Sequence, residues 1–222
     1  MEQEAQSMTQ QALGYIREQI QNCELMPGEP LSEKSLCREI GCGRTPVREA
    51  LLSLQSEGLI EIFPRRGIRV TPFTREAVQE IYQIRKIIEP TVCRRYYLQI
   101  DKDRLLRFDQ EFKRMDHEDD HAYYTLDISF HNWLVEVAGN RQLSAFYAGV
   151  LRSQYRFSMY TARLGTAVKG DYYTEHHEII KALMAEDAER IDKTSIAHIN
   201  YSEEIALRTM QQTGISASNT SE

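Results

Sequence analysis

Apolar positions along the first seventy residues change period several times, and each change marks an element. Leu13, Ile16, Ile20 and Cys23 recur at spacings of three and four, which predicts one face of a first helix ended by Met26-Pro27-Gly28-Glu29-Pro30. Ser32 is placed to cap a second, short helix, with Glu33 in its first turn and Leu36 and Ile40 facing inward. After a turn at Gly41-Cys42-Gly43, a third helix is expected with Thr45 as cap and Pro46 at its first position. Val47, Ala50, Leu51 and Leu54 form its apolar stripe, and Gly58 stops it. The pattern then shortens to strands at Leu59 to Ile62 and Ile68 to Val70, with Pro64-Arg65-Arg66-Gly67 as the hairpin tip. Two short helices joined by a glycine turn and followed by a two-stranded wing predict a winged helix-turn-helix.

Beyond Pro90 the chain has no proline, and apolar residues keep the helical spacing almost to the end. The expected fold class is therefore mostly α, a winged helix-turn-helix joined to an all-α bundle. The boundary falls near residues 72–75, giving domains 1–73 and 74–214. The segment 215–222, rich in serine, has the composition of a disordered tail.

Composition narrows the function classes. With 41% hydrophobic and 27% charged residues over 222 positions, the chain can bury a core, and no run of about 18 apolar residues suggests a membrane span. The polar start, with Glu2 and Glu4, argues against a secretory signal, so the cytoplasm is the expected location. Cys23, Cys37, Cys42 and Cys93 form no C-x-x-C pair and are expected to be reduced. The net charge of −6 gives no global sign of nucleic-acid binding, but local charge does. Lys34, Arg38, Arg44 and Arg48 face only Glu39 between residues 34 and 48, and Arg65, Arg66 and Arg69 face no acid between residues 63 and 70. Positive charge is thus concentrated where a winged helix touches a duplex.

Four segments carry a resemblance. Pro27 through Glu33, Gly41-x-x-Arg44-Thr45-Pro46-Val47-Arg48-Glu49-Ala50-Leu51, Leu54-x-x-Glu57-Gly58-Leu59-Ile60 and Pro64-Arg65-Arg66-Gly67-x-x-Val70 resemble the GntR family of bacterial transcriptional regulators. The resemblance implies that Arg44, Thr45 and Arg48 reach bases and phosphates, with Lys34 and the wing residue Gly67 near the backbone. Cys42 and Gly43 depart from the usual pattern, removing a hydroxyl that could cap the helix or touch phosphate.

In the second domain, Asp127 and His131 are four apart, side by side on one helix. Two further helices meet at Glu186-Asp187, with Asp187 as cap. His176 and His198 each lie roughly 15 Å from that bend, so in an antiparallel hairpin they face one another. One aspartate and three histidines from three helices suit Zn, Ni, Mn or a similar divalent ion, although isolated histidines on helices also occur simply as surface or core residues. His177, next to a candidate ligand, points about 100° away. His117 and His121 flank an acidic turn and are expected in solvent.

Residues 74–212 resemble the FCD effector domain of the FadR-like branch of the GntR family. The matching pieces are Ile84-Arg85-x-x-Ile88-Glu89-Pro90, Asp127-x-x-Phe130-His131, Gly139-Asn140 and Glu175-His176-x-x-Ile179, followed by His198. The resemblance implies that Asp127, His131, His176 and His198 bind a divalent metal, with zinc first. It also implies that Arg85 faces a cavity for a small organic acid, and that a homodimer binds a pseudo-palindromic operator. Arg152 is a second candidate for the effector's carboxylate, and Arg156 a third, with salt bridges as the alternative. Tyr155, Tyr160, Tyr172 and Tyr173 are candidate pocket or core residues. The function expected is effector-controlled transcription regulation. Its rivals are a metallohydrolase fused to a DNA-binding module, for which no H-E-x-x-H exists and Glu175 and Glu178 are the nearest candidate bases, and a regulator whose metal is structural.

Overall fold

The computed structural model describes residues 2–116, 118–165 and 172–213, without the side chains of 2–7, 172 and 213. His117 and the 215–222 tail lie outside the described residues. The chain divides into two units, Met1–Phe73 and Thr74–Glu222.

In the first unit, helix α1 (Glu2–Gln21) buries Ala12, Ile16 and Ile20, four residues apart. Leu13 is half-buried at the edge of that face. The helix stops before the Pro27 turn, because Cys23 takes a positive φ of 53° and turns its side chain back into the core. Helix α2 (Glu33–Ile40) starts as expected, with Ser32 Oγ accepting from the Ser35 amide at 3.3 Å, and ends at Gly41, φ 74°. Helix α3 (Arg44–Ser56) corrects the sequence expectation: Gly43, not Thr45, is its cap. Pro46 then sits in the first turn, where its missing N–H would have had no intrahelical acceptor. Val47, Ala50, Leu51 and Leu54 pack against α1 and α2.

The wing has three strands and not two. Strands β2 (Ile60–Phe63) and β3 (Gly67–Val70) form the hairpin, and β1 (Pro30–Leu31) adds to the free edge of β3, in the order β1-β3-β2. Pro30 pairs with Arg69 and Leu31 with Ile68. Pro30 is acceptable there because an edge strand need not donate every N–H.

The second unit contains six α-helices among the described residues: α4 (Arg75–Tyr96), α5 (Lys102–Arg114), α6 (Asp120–Glu136), α7 (Arg141–Arg163), α8 (Tyr172–Met184) and α9 (Ala188–Thr213). Thr74, Asp101, Asp119 and Asn140 cap α4 to α7 with side-chain oxygens, and Asp187 accepts from the Arg190 amide at the start of α9. Helix α4 packs on α9, α6 on α7, α8 on α9 and α5 on α8. This brings α6, α8 and α9 around one interior. Phe108, Phe112, Phe130 and Trp133 form the aromatic part of its core, with Phe108 and Trp133 stacked at 5.3 Å.

Candidate functional site

The basic cluster of the first unit is built on the first turns of α3 and the hairpin tip. Arg44, Thr45 and Arg48 are exposed on α3, Lys34 is exposed on α2, and Arg65, Arg66 and Gly67 are exposed at the tip. Arg65 at φ 65° and Gly67 at φ 109° give the tip its tight reversal. Among the described residues Lys34, Arg44, Arg65 and Arg66 form no ion pair, so their charges face solvent. Arg48 differs, because its Nε lies 2.9 Å from Glu33 Oε2 on α2. The sequence places Glu33 in a helix start and gives no hint of this cross-helix partner. Helix α3 is held from behind by α1: Arg17 donates to both carboxylate oxygens of Glu57, at 3.0 and 2.6 Å, and Thr9 Oγ1 donates to Glu49.

In the second unit, Asp127 and His131 of α6, His176 of α8 and His198 of α9 converge, and their ligand atoms all lie within 4.8 Å of one another. His176 Nε2 is 3.0 Å from Asp127 Oδ1 and 3.3 Å from His131 Nε2. His198 Nε2 is 3.1 Å from His131 Nε2, and His131 Nε2 is 3.6 Å from Asp127 Oδ1. Donors held about 2.0–2.2 Å from one ion at angles between 90° and tetrahedral are separated by roughly 2.8–3.6 Å. These four spacings fall in that range, while the set as a whole spreads to 4.8 Å. Imidazole nitrogens that face one another with no proton between them repel, and a shared cation removes that repulsion. The donor set and its spacing therefore fit a divalent ion.

Charge in the cluster is strongly perturbed. Burial opposes ionisation of Asp127, yet hydrogen bonds from His131 and His176 hold it well below the usual carboxylate range. Burial and the neighbouring His176 and His131 push His198 well below the ordinary imidazole value, favouring its neutral, ligating form. Phe112 stacks flat on His176 at 4.2 Å, fixing its ring.

His177, one residue on, turns away to α5, with Nδ1 2.5 Å from Asp109 Oδ1. His177→Ala is accordingly expected to leave metal content intact and to cost about 1 kcal/mol of stability by cutting this partly buried pair. Metal analysis beside thermal melting checks both halves. His121 is exposed, edge-on to Tyr155 at 6.2 Å.

A cavity of about 50 Å³, room for roughly three to five waters, adjoins Asp127 and His198. Tyr82 and Tyr124 line it, with Gln154, Ser158, Ser202 and Thr209. Arg85 is not in its wall. It is fully buried, with Nε 2.5 Å from Glu89 Oε1 and Nη1 2.6 Å from Gln154 Oε1. Its sequence signal was the acid four residues on, a spacing that pairs charges on a helix. Arg152 is exposed and Arg156 buried, both two residues from Gln154 and so turned about 200° from the side of α7 that faces the cavity. Tyr155, Tyr160 and Tyr173 do not line it either, and the Tyr172 side chain lies outside the described residues. Tyr82, Tyr123 and Tyr124 were missed because aromatics at helical spacing read as core.

Comparison with known proteins decides the family. The bacterial regulatory proteins of the gntR family match residues 8–70, and the FCD domain matches residues 80–201, more than half the chain. The chain is a GntR-family regulator with an FCD domain. The HTH-type transcriptional repressor RspR of Escherichia coli K12 is 27% identical over 216 residues, covering 93% of this chain and 92% of that one. The gluconate operon transcriptional repressor of Bacillus subtilis 168 is 27% identical over 169 residues, covering 72% and 69%. A structural-genomics GntR protein of Rhodococcus sp. RHA1 superposes with a TM-score of 0.79 at 25% identity, covering 91% and 98%. This GntR regulator is thus a DNA-binding transcription regulator, not an enzyme, which sets aside the metallohydrolase reading. No helix among its described residues is long and apolar enough to cross a membrane.

Proposed function

We propose that this regulator binds a double-stranded, pseudo-palindromic operator as a cytoplasmic homodimer, and that a small carboxylate-bearing metabolite controls it at a divalent metal in the second unit. The observation that carries the reading is the convergence of Asp127, His131, His176 and His198 beside a cavity rich in hydroxyl groups. Zinc suits three imidazoles and one carboxylate, and nickel or manganese would also be accepted. When bound, the ion supplies a Lewis-acidic position for an oxygen of the effector. The chain's own residues hold and orient: Asp127 contributes the one negative charge, the three histidines bind as neutral donors, and the hydroxyls of Ser158, Ser202 and Thr209 offer hydrogen bonds to a polar ligand. One relative takes its name from a gluconate operon, and gluconate is a hydroxylated carboxylate of this kind.

On DNA, Arg44, Thr45 and Arg48 enter the major groove from α3, and Lys34, Arg65, Arg66 and Gly67 lie along phosphates. A homodimer presents two such heads to two half-sites. The effector acts by binding one arrangement of the dimer better than the other, and typical coupling of about 1–3 kcal/mol changes operator affinity about 5- to 150-fold.

The test begins with operator duplexes identified by sequencing genomic fragments that the protein captures. A carboxylate series is then screened by melting, where a ligand at a hundredfold its Kd adds about 2.7 kcal/mol. Operator affinity is measured with each hit before and after chelation. A response that vanishes on chelation supports the reading, and a full response in metal-free protein overturns it in favour of a structural ion. Sedimentation of the protein with and without operator tests the dimer.

A further inference from the structure

We propose that Glu89, held by Arg85, is a positioning residue that keeps Nε2 of His131 free to bind a metal, and that Gln154 aligns Asp127 from the same guanidinium. The inference rests on the metal reading above. His131 Nδ1 lies 2.7 Å from Glu89 Oε2, a close and bent contact, and no other group among the described residues is placed at that nitrogen. A neutral imidazole carries one proton, and a carboxylate at Nδ1 draws it there, leaving the Nε2 lone pair toward the site. His198 has no such support, since its Nδ1 meets no partner among the described residues.

Arg85 links the two α6 ligands. Through Nε it fixes Glu89 behind His131, and through Nη1 it fixes Gln154, whose Nε2 donates to Asp127 Oδ2 at 3.3 Å. Asp127 is left with Oδ1 facing His176. The guanidinium is planar, so the directions of its two bonds are set together. Tyr147 adds a hydrogen bond from its hydroxyl to Glu89 Oε1. A charge pair buried this deeply contributes little net stability, because desolvation offsets attraction and apolar residues of similar size would serve as well. Its place behind two ligands is explained by what it aligns.

The test uses the full chain, stripped of metal, with zinc as the probe in competition with a chromophoric chelator. Two double variants remove both charges, so that neither leaves an ion buried alone. Arg85→Met with Glu89→Gln keeps an acceptor for His131, whereas Arg85→Met with Glu89→Leu does not. The Leu variant is expected to bind zinc about 10- to 100-fold more weakly than the Gln variant, the usual loss when an outer partner of a ligand is removed. Long-range proton-nitrogen spectra of metal-free protein add a readout that packing alone does not move. At alkaline pH, where the ring is neutral, His131 is expected as the Nδ1-protonated tautomer in wild type and in the Gln variant, and as a mixture in the Leu variant. Leu151→Ala, a core change on α7, serves as the packing control, with a lower melting temperature and unchanged zinc affinity. Equal zinc affinity in the two double variants, or equal tautomer populations, overturns the inference. Failure of the wild type to bind zinc overturns the metal reading instead, and the tautomer populations still decide whether Glu89 positions His131.

Discussion

Asp127→Ala, His131→Ala, His176→Ala and His198→Ala are each expected to leave the purified regulator without bound zinc and to lower its melting temperature to that of chelated wild type. The four residues come from three helices, so a bound ion would tie α6, α8 and α9 together, and losing one donor would open the shell to water. At a metal concentration a thousandfold above Kd the linkage is worth about 4 kcal/mol. For a chain of this size each kcal/mol moves the melting point by about 2–4 °C, so the expected drop is about 8–16 °C. The adjacent histidines give the internal comparison. His176 faces the cluster and His177 faces Asp109, so zinc should be lost at the first and kept at the second. Equal zinc loss at both positions, or zinc retained in all four ligand variants, contradicts the arrangement. Elemental analysis of gel-filtered protein decides it.

Arg44→Ala and Arg48→Ala should each weaken specific operator binding by about 1–3 kcal/mol, with folding unchanged, as expected for bidentate contacts to base edges. Both side chains are exposed on the leading turns of α3, away from the Val47, Ala50, Leu51 and Leu54 core stripe. Glu33 separates the two effects. Because it holds Arg48 at 2.9 Å, Arg48 must exchange a carboxylate for the duplex, and Glu33→Gln is expected to alter affinity only while Arg48 is present. Arg65→Ala and Arg66→Ala in the wing should weaken binding alike on operator and random duplex, and each should lower the salt slope by about one. Titrations at several salt concentrations distinguish the classes. Unchanged operator affinity in both α3 variants would remove α3 as the recognition helix.

The helix-turn-helix was legible because its signals are local. Ser32 ahead of Glu33, Gly41 behind Ile40 and the Val47 to Leu54 stripe act within one or two turns of chain, and the structure uses each of them. The start of α3 was less legible. Gly43 and Thr45 are both acceptable caps by type, and the extended backbone at Gly43 decides between them. Strand β1 left no trace in the sequence, since two residues have no period and their partners, Arg69 and Ile68, lie nearly forty positions away.

That Asp127, His131, His176 and His198 can meet was legible from helix spacing, while their reading as a ligand set came from the resemblance to the FCD domain. Four residues place Asp127 beside His131, one residue turns His177 away from His176, and a hairpin sets His176 opposite His198. What spacing could not decide is which partner a charged or aromatic side chain takes when several are within reach. Arg85 could have faced a ligand or an acid, and it faces Glu89, one turn on along α4, and Gln154, which the packing of α4 against α7 puts at its guanidinium. Tyr82 and Tyr124 could have been core or cavity wall, and the approach of α4, α6, α7 and α9 makes them wall. The sequence by itself determined most of the elements, the domain order and four candidate donors, through signals that act within a few turns of chain. Tertiary structure alone decided the partner of Arg48, the contact of Arg85 with Gln154, the third strand and the lining of the cavity, because each joins residues that become neighbours only after the elements have packed.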